Sequence, residues 1–201
     1  IPIADFGASN TGRLKSLYRK GLGHRYGRSM QSIAGMHFNY SISRKLIEDL
    51  RGEFAPEKTL KDFTDQFYFK LIRNFRRYNW ILSYLFGASP VVDESFLKNK
   101  KHSLQKLGKD TWGREFGTSL RMGGLGYTSA AQKDISVCYN KISTYVGTLE
   151  SARKRSYPEY EKIGLKVDGD YLQLNTNLLQ IDNEFYSTLR PKRTAKSGES
   201  A

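Results

Sequence analysis

Between Lys58 and residue 86, apolar side chains recur at steps of three and four: Leu60, Phe63, Phe67, Leu71, Phe75, Tyr78 and Leu82. Positions spaced by about 3.6 residues fall on one face of a helix, so the run predicts the longest helix of the chain, with its aromatic side turned to a core. Arg73, Arg76 and Arg77 fall on the other side. Interleaved arginines and aromatics also suit stacking on single-stranded nucleic acid, but the clean segregation of the two sets favours a core face backed by solvated cations. Gly87, Ser89 and Pro90 supply the stop.

The rest of the chain can build the core that this helix needs. Over 201 residues, 38% are hydrophobic and 13% aromatic, enough for one large globular domain or two small ones. No internal repeat, low-complexity tract or domain boundary stands out. Thirty-three Lys and Arg against 20 Asp and Glu give a net charge of +13, which attracts anions without choosing among nucleotides, carboxylates, nucleic acid and acidic lipid. A single cysteine, Cys138, excludes an internal disulfide framework and a Cys-rich zinc site, and fits a reducing, cytoplasmic setting. The longest apolar candidate, Ile81 to Ala88, is interrupted by Ser83 and Tyr84 and falls short of the roughly 18 residues that span a bilayer. The opening IPIADFGASNTG has neither an initiator Met nor a signal pattern, and reads as a start within a longer protein.

Local patterns predict the other elements. Asn10 to Gly12 read as the cap of a first helix, with Leu14, Leu17, Tyr18 and Leu22 on one face, Arg13, Lys15, Arg19, Lys20 and Arg25 on the opposite one, and Gly27 as its stop. An extended strand follows, with Met36, Phe38 and Tyr40 on one side and His37, Asn39 and Ser41 on the other; it is either an ordinary half-buried strand or a substrate wall. A short helix covers Arg44 to Leu50, and residues 98–110 read as a basic surface loop with His102 solvated. The Gly-rich stretch from Thr111 to Ser129 holds Arg121 and Tyr127; its glycines allow close backbone approach to a ligand or tight turns, and it lacks the lysine of a phosphate-binding P-loop. Ile135, Cys138, Ile142, Tyr145 and Leu149 predict another amphipathic helix, with Cys138 as a buried structural thiol. Asp168-Gly169 is the best hairpin signal, and Leu179 and Ile181 fall out of phase with Leu172, Leu174, Thr176 and Leu178, which implies a bend. Tyr186 lies near Arg190, Lys192 and Arg193, either a solvated basic tail or a phosphate-contacting cluster.

Four separated segments carry a resemblance: LYRKGLGHRYGRSMQSIAGMHFNYS at Leu17 to Ser41, YLFGASP at Tyr84 to Pro90, TSLRMGGLGYT at Thr118 to Thr128 and RPKRTAKSGES at Arg190 to Ser200. In this order they resemble the middle of a glutamate–cysteine ligase of the proteobacterial type, and the resemblance runs from one end of the chain to the other. It implies an α+β, glutamine-synthetase-like (carboxylate–amine ligase) fold, an antiparallel sheet flanked by helices. Residues 1–201 would be the central part of a single such domain, a fragment lacking its N-terminal and C-terminal portions.

The implied reaction joins the L-glutamate γ-carboxylate to L-cysteine with ATP, through a γ-glutamyl phosphate. The product is γ-glutamylcysteine, the first step of glutathione biosynthesis, made in the cytoplasm with Mg2+ or Mn2+. By matching motif, Arg121 would be the catalytic cation holding a substrate carboxylate. Tyr18, Leu22, Gln31, Ile33, Tyr127 and Tyr186 would line the substrate pocket on the cysteine side, Arg190 and Lys192 would meet ATP phosphates, and His37 would be a metal ligand. Gly123 and Gly124 depart from the family's pattern after Arg121, and the family's carboxylate metal ligands fall outside this chain, so the fragment alone is expected to be inactive. The alternative is a non-catalytic basic module binding nucleic acid or a protein partner, although no nucleic-acid motif supports it.

Overall fold

The computed structural model describes residues 1–33, 35–87, 89–98, 102–120, 125 and 130–193. Helix α1 spans Asn10–Tyr26. Ser9, one residue before the expected cap, accepts a hydrogen bond from the Gly12 N–H at 3.0 Å, and Gly27 ends the helix at φ 88°, a backbone conformation that glycine adopts without a Cβ clash. A 3-10 turn over Arg28–Ser32 folds back against α1. Helix α2, Arg44–Phe54, is capped by Ser43.

The expected long helix is present in two pieces. Helix α3, Leu60–Tyr78, begins at a Thr59 cap whose hydroxyl accepts the Asp62 N–H (3.1 Å) and donates to the Asp62 carboxylate (2.7 Å). It stops at Asn79, and Trp80–Phe86 form a separate helix α4. The Asn79 side chain makes no capping bond at the start of α4, and the apolar spacing runs through the break without registering it. The face that meets the core is not the expected one: Leu60, Phe63, Phe67 and Leu71 are half-buried and Phe75, Tyr78 and Leu82 exposed. Helix α3 enters the core instead through Phe69 and Ile72, which lie off that stripe on another side of the helix, and no residue of α4 is buried.

The main core joins Phe69 and Ile72 to Tyr145, Leu149 and Ala152 of α6 (Ile142–Lys154), Tyr160 of α7 (Pro158–Ile163), and Leu178, Leu179 and Phe185. Burial of the Leu178 and Leu179 side chains contributes about 1.5–3 kcal/mol each. Phe69 meets the Tyr145 ring edge-on at 5.7 Å. Arg73 is not simply solvated, since its Nη1 donates to the Tyr139 carbonyl at 2.8 Å.

The helix expected from Ile135 begins only at Ile142. Ile135, Val137 and Tyr139 also alternate with period two, and in the fold that reading wins: Ile135 and Tyr139 reach the core from a non-helical path, leaving Cys138 half-buried outside α6.

Among the described residues, two small antiparallel sheets complete an α+β arrangement. Strands β1 (Val91–Asp93), β2 (Gln105–Lys106) and β3 (Thr111–Gly113) lie in the order β1-β3-β2, pairing Val92 and Lys106 with Trp112. The expected loop at 98–110 thus contains a strand. Strands β4 (Lys166–Val167) and β5 (Asp170–Tyr171) form the expected hairpin, with Asp168 at φ 50° and Gly169 at φ 90°, as a two-residue primed turn requires.

The strand expected around His37 is absent. Residues 35–41 belong to no strand and are exposed, with Met36 at 101% and Phe38 at 90% of full accessibility, although alternation should have buried one side. Period two signals a strand only where a neighbour takes up its N–H and C=O groups, and the first anchor after this segment is the Ile42 N–H bonded to the Tyr68 hydroxyl at 2.8 Å. Among the described residues, no helix is long and apolar enough to cross a membrane.

Candidate functional site

Tyr18, Leu22, Arg25 and Tyr26 stand at i, i+4, i+7 and i+8 and therefore share one face of α1. Leu22 is buried, and Gly21 beside it packs so closely on the Gln180 side chain that a Cβ there would overlap the Gln180 amide. Arg25 belongs to this inner face, not to the cationic outer face where the charge pattern placed it. The helical spacing already carried the correction, since Arg25 continues the Tyr18–Leu22 row.

Arg25 is fully engaged. Its Nε donates to Gln173 Oε1 (2.9 Å), Nη1 to Glu184 Oε1 (3.1 Å) and Nη2 to the Asn175 carbonyl (2.6 Å), while the guanidinium lies 4.1 Å from the centre of the Tyr160 ring. None of the Arg25 side chain and 1% of that of Glu184 reaches solvent. The planar fork of guanidinium donors is suited to such a junction, and lysine could not reproduce it.

Glu184 accepts a second bond at Oε1 from the Tyr26 hydroxyl (3.0 Å), and Oε2 accepts the Gln180 N–H. Burial first, and the neighbouring carboxylate second, hold the Tyr26 phenol far above its ordinary range, so it remains a neutral donor. Gln173 donates onward to the carbonyls of Tyr160 (2.8 Å) and Gly164 (2.9 Å).

Gln132, in the short helix α5 (Ala130–Lys133), joins this lattice to Tyr186. Its Nε2 donates to the Glu184 carbonyl (2.9 Å) and the Tyr26 hydroxyl (3.2 Å), and its Oε1 accepts the Tyr186 N–H (2.8 Å). Beside it opens a cavity of about 230 Å³ whose walls include Gln132, Tyr139, Phe185, Tyr186 and Ser187.

The residues singled out by sequence are placed as follows. Tyr18 is half-buried and Leu22 buried on α1; Gln31 and Ile33, both half-buried, lie in and just after the turn packed on it, with Gln31 Nε2 donating to the Arg19 carbonyl at 3.0 Å. Tyr186 is half-buried, with the Arg190 guanidinium 5.9 Å from its ring centre. Arg190 Nη1 donates to the carbonyls of Asn183 (3.1 Å) and Phe185 (3.3 Å), and Lys192 is exposed. Arg121 and Tyr127 lie outside the described residues. His37 is exposed and apart, and among the described residues no group of three or more His, Cys, Asp or Glu could hold a metal ion. A lone imidazole is a poor match for Mg2+, which prefers several oxygen ligands, so this donor set does not by itself fit the metal.

With this geometry the chain can be set beside known proteins. The family profile described as glutamate-cysteine ligase matches residues 1–201. The chain belongs to the glutamate–cysteine ligase family. It is similar to the ligase of Saccharophagus degradans, 53% identical over 203 residues, and to that of Hahella chejuensis, 52% identical over 199 residues. The match covers 100% and 99% of this chain respectively, and in both cases 38% of the relative's length. A crystal structure of the Francisella tularensis glutamate–cysteine ligase in complex with AMP superposes with a TM-score of 0.84 at 42% identity, over 98% of this chain and 38% of that one. The resemblance carried by the four sequence segments is thereby borne out as family membership.

Sequence reading missed Gln132, Gln173, Gln180 and Glu184, none of which lies in a quoted motif. The available signal was the placement of Arg25 on an apolar helix row, which requires a buried partner somewhere in the chain.

Proposed function

We propose that this chain supplies the cysteine-side substrate pocket of an ATP-dependent carboxylate–amine ligase that makes γ-glutamylcysteine. The observation that carries the reading is a family match along all 201 residues, joined to 42% identity and a TM-score of 0.84 with a ligase solved with AMP. In this reading the antiparallel sheet belongs to a glutamine-synthetase-like domain of which residues 1–201 are the central part, working in the cytoplasm.

The chemistry has two displacements. A γ-carboxylate oxygen of glutamate attacks the terminal phosphorus of ATP and ADP departs; the cysteine amine then attacks the acyl carbon and phosphate departs. Negative charge develops at both steps, so fixed cations favour the transition states. Arg121 holds a substrate carboxylate through its planar fork of donors, while Arg190 and Lys192 face phosphate. Tyr18, Leu22, Gln31, Ile33, Tyr127 and Tyr186 enclose the cysteine side chain. Mg2+ or Mn2+ would neutralise phosphate charge in the reaction as a whole, and His37, isolated from other donors among the described residues, would not hold it alone.

The chain spans 38% of the length of its curated relatives, so binding, more than turnover, is the property to test on it. Calorimetric titration should show saturable cysteine binding that persists at high salt, and Leu22→Asp should weaken it at least tenfold. Incubation of the chain alone with ATP, glutamate and cysteine should yield no γ-glutamylcysteine. Absence of cysteine binding, together with polyanion affinity that falls steeply with salt, would instead favour a basic binding module.

A further inference from the structure

We propose that Gln132 is the positioning residue for Tyr186, setting the wall of the cysteine pocket through the buried Arg25–Glu184 lattice. This deepens the proposed function and rests on it. The Gln132 amide donates to the Glu184 carbonyl and accepts the Tyr186 N–H, and so spans Phe185 as a neighbouring strand would, satisfying the backbone on both sides of one residue. Phe185 is buried in the main core, which prevents the dipeptide from swinging away.

The third bond of Gln132, to the Tyr26 hydroxyl, connects this clamp to α1, the helix that carries Tyr18 and Leu22. One side chain therefore couples the registry of two walls whose residues lie far apart in sequence. The cavity against Gln132 and Tyr186 leaves room for a small ligand group next to the clamp. Both ends of the Gln132 amide are engaged, so its orientation is fixed, and a side chain of the same volume without the amide cannot replace it.

The test uses Gln132→Met, which keeps the volume, and Tyr26→Phe, which weakens the lattice but leaves the Tyr186 N–H bonded. Each variant of the 201-residue chain is read for cysteine affinity, AMP affinity, melting temperature and the amide exchange rate at Tyr186. Gln132→Met should accelerate exchange at Tyr186 by at least tenfold and weaken cysteine by a similar factor, with AMP affinity held within twofold. Tyr26→Phe, which cuts the link to α1 but not the clamp, should lower the melting temperature and leave exchange at Tyr186 within twofold of the parent, with a smaller loss of cysteine affinity than Gln132→Met. A merely structural role would lower cysteine and AMP affinity together, in step with melting temperature, and that result would overturn the proposal. So would unchanged exchange at Tyr186 in Gln132→Met. Failure of the unsubstituted chain to bind cysteine would count against the ligase pocket itself, a result distinguishable because the exchange rate still reports whether Gln132 holds Tyr186.

Discussion

Two stretches that the family resemblance marks as functional are built in opposite ways. The face of α1 with Leu22 and Arg25 is closed by partners about 150 residues away: Gln173, Asn175 and Glu184 satisfy every nitrogen of the Arg25 guanidinium. Residues 35–41, a few positions after α1, hold His37 among side chains that face solvent. In the first stretch geometry is imposed by internal contacts, so substitutions should register as stability. In the second it is not, and substitutions there should leave stability alone.

The sharpest way to break this contrast is Glu184→Ala. Removing one partner of a buried ion pair strands the other charge, which typically costs about 3–5 kcal/mol. The Tyr26 hydroxyl and the Gln180 N–H would lose their acceptor as well. Denaturant unfolding should show a loss of that order at unchanged slope; a loss under 1 kcal/mol would mean that solvent relieves the lattice and that the region is no more rigid than the exposed stretch.

Gly21→Ala should be the next largest effect. A methyl group at this position overlaps the Gln180 side chain, which is itself buried and bonded through Oε1 to the Leu174 N–H. Overpacking of this kind costs about 1–3 kcal/mol, opposite in sign to the gain that the same substitution gives in an open helix. A stabilised Gly21→Ala variant, measured by the same unfolding curves, would show the α1 contact to be loose.

What could be read from sequence follows from the range of the interaction. The α1, α2 and α3 segments and the Asp168-Gly169 hairpin rest on neighbours within a few residues, and spacing found them. The non-helical path from Ile135 to Tyr139 arises where two periodicities fit the same residues. The break at Asn79 leaves the apolar spacing intact, and the choice of α3 face, Phe69 and Ile72 instead of the aromatic row, is set by distant partners. The absent strand at His37 is the converse case, a local pattern without a partner. Arg25 and Glu184 lie 159 positions apart, so no local pattern could join them. Motif resemblance placed Tyr18, Leu22 and Tyr186 in one pocket, and the lattice accounts physically for how the segment bearing Tyr186 is fastened to the helix bearing the other two.

Tyr26 gives the lattice a pH signature. Its folded pKa is raised above the ordinary value of 10.0, by burial and then by Glu184. The neutral phenol is favoured in the fold, so its contribution is fully present below pH 10 and is lost as pH rises and the unfolded chain ionises. Above pH 10 this amounts to about 1.4 kcal/mol per pH unit. Tyr145, pushed up to about 12 chiefly by burial, adds a loss with the same sign between pH 10 and 12. Tyr26→Phe should therefore unfold less steeply with alkali than the parent while keeping the Tyr145 part. Equal slopes would remove Tyr26 from the buried network.

The smallest effect belongs to the exposed stretch, and it is the control on all the others. Met36→Ser and Phe38→Ser remove apolar surface that is already in water, so neither a transfer free energy nor a cavity term is lost. Unfolding free energy should stay within about 0.5 kcal/mol of the parent, as for surface positions generally. His37→Ala should be equally silent, because no fixed partner among the described carboxylates and thiols holds its ring in a metal cluster. A loss above 1 kcal/mol from any of the three would mean that residues 35–41 dock against the body of the protein in solution. The contrast with α1 would then be one of degree, and His37 would have to be reconsidered as part of a formed wall.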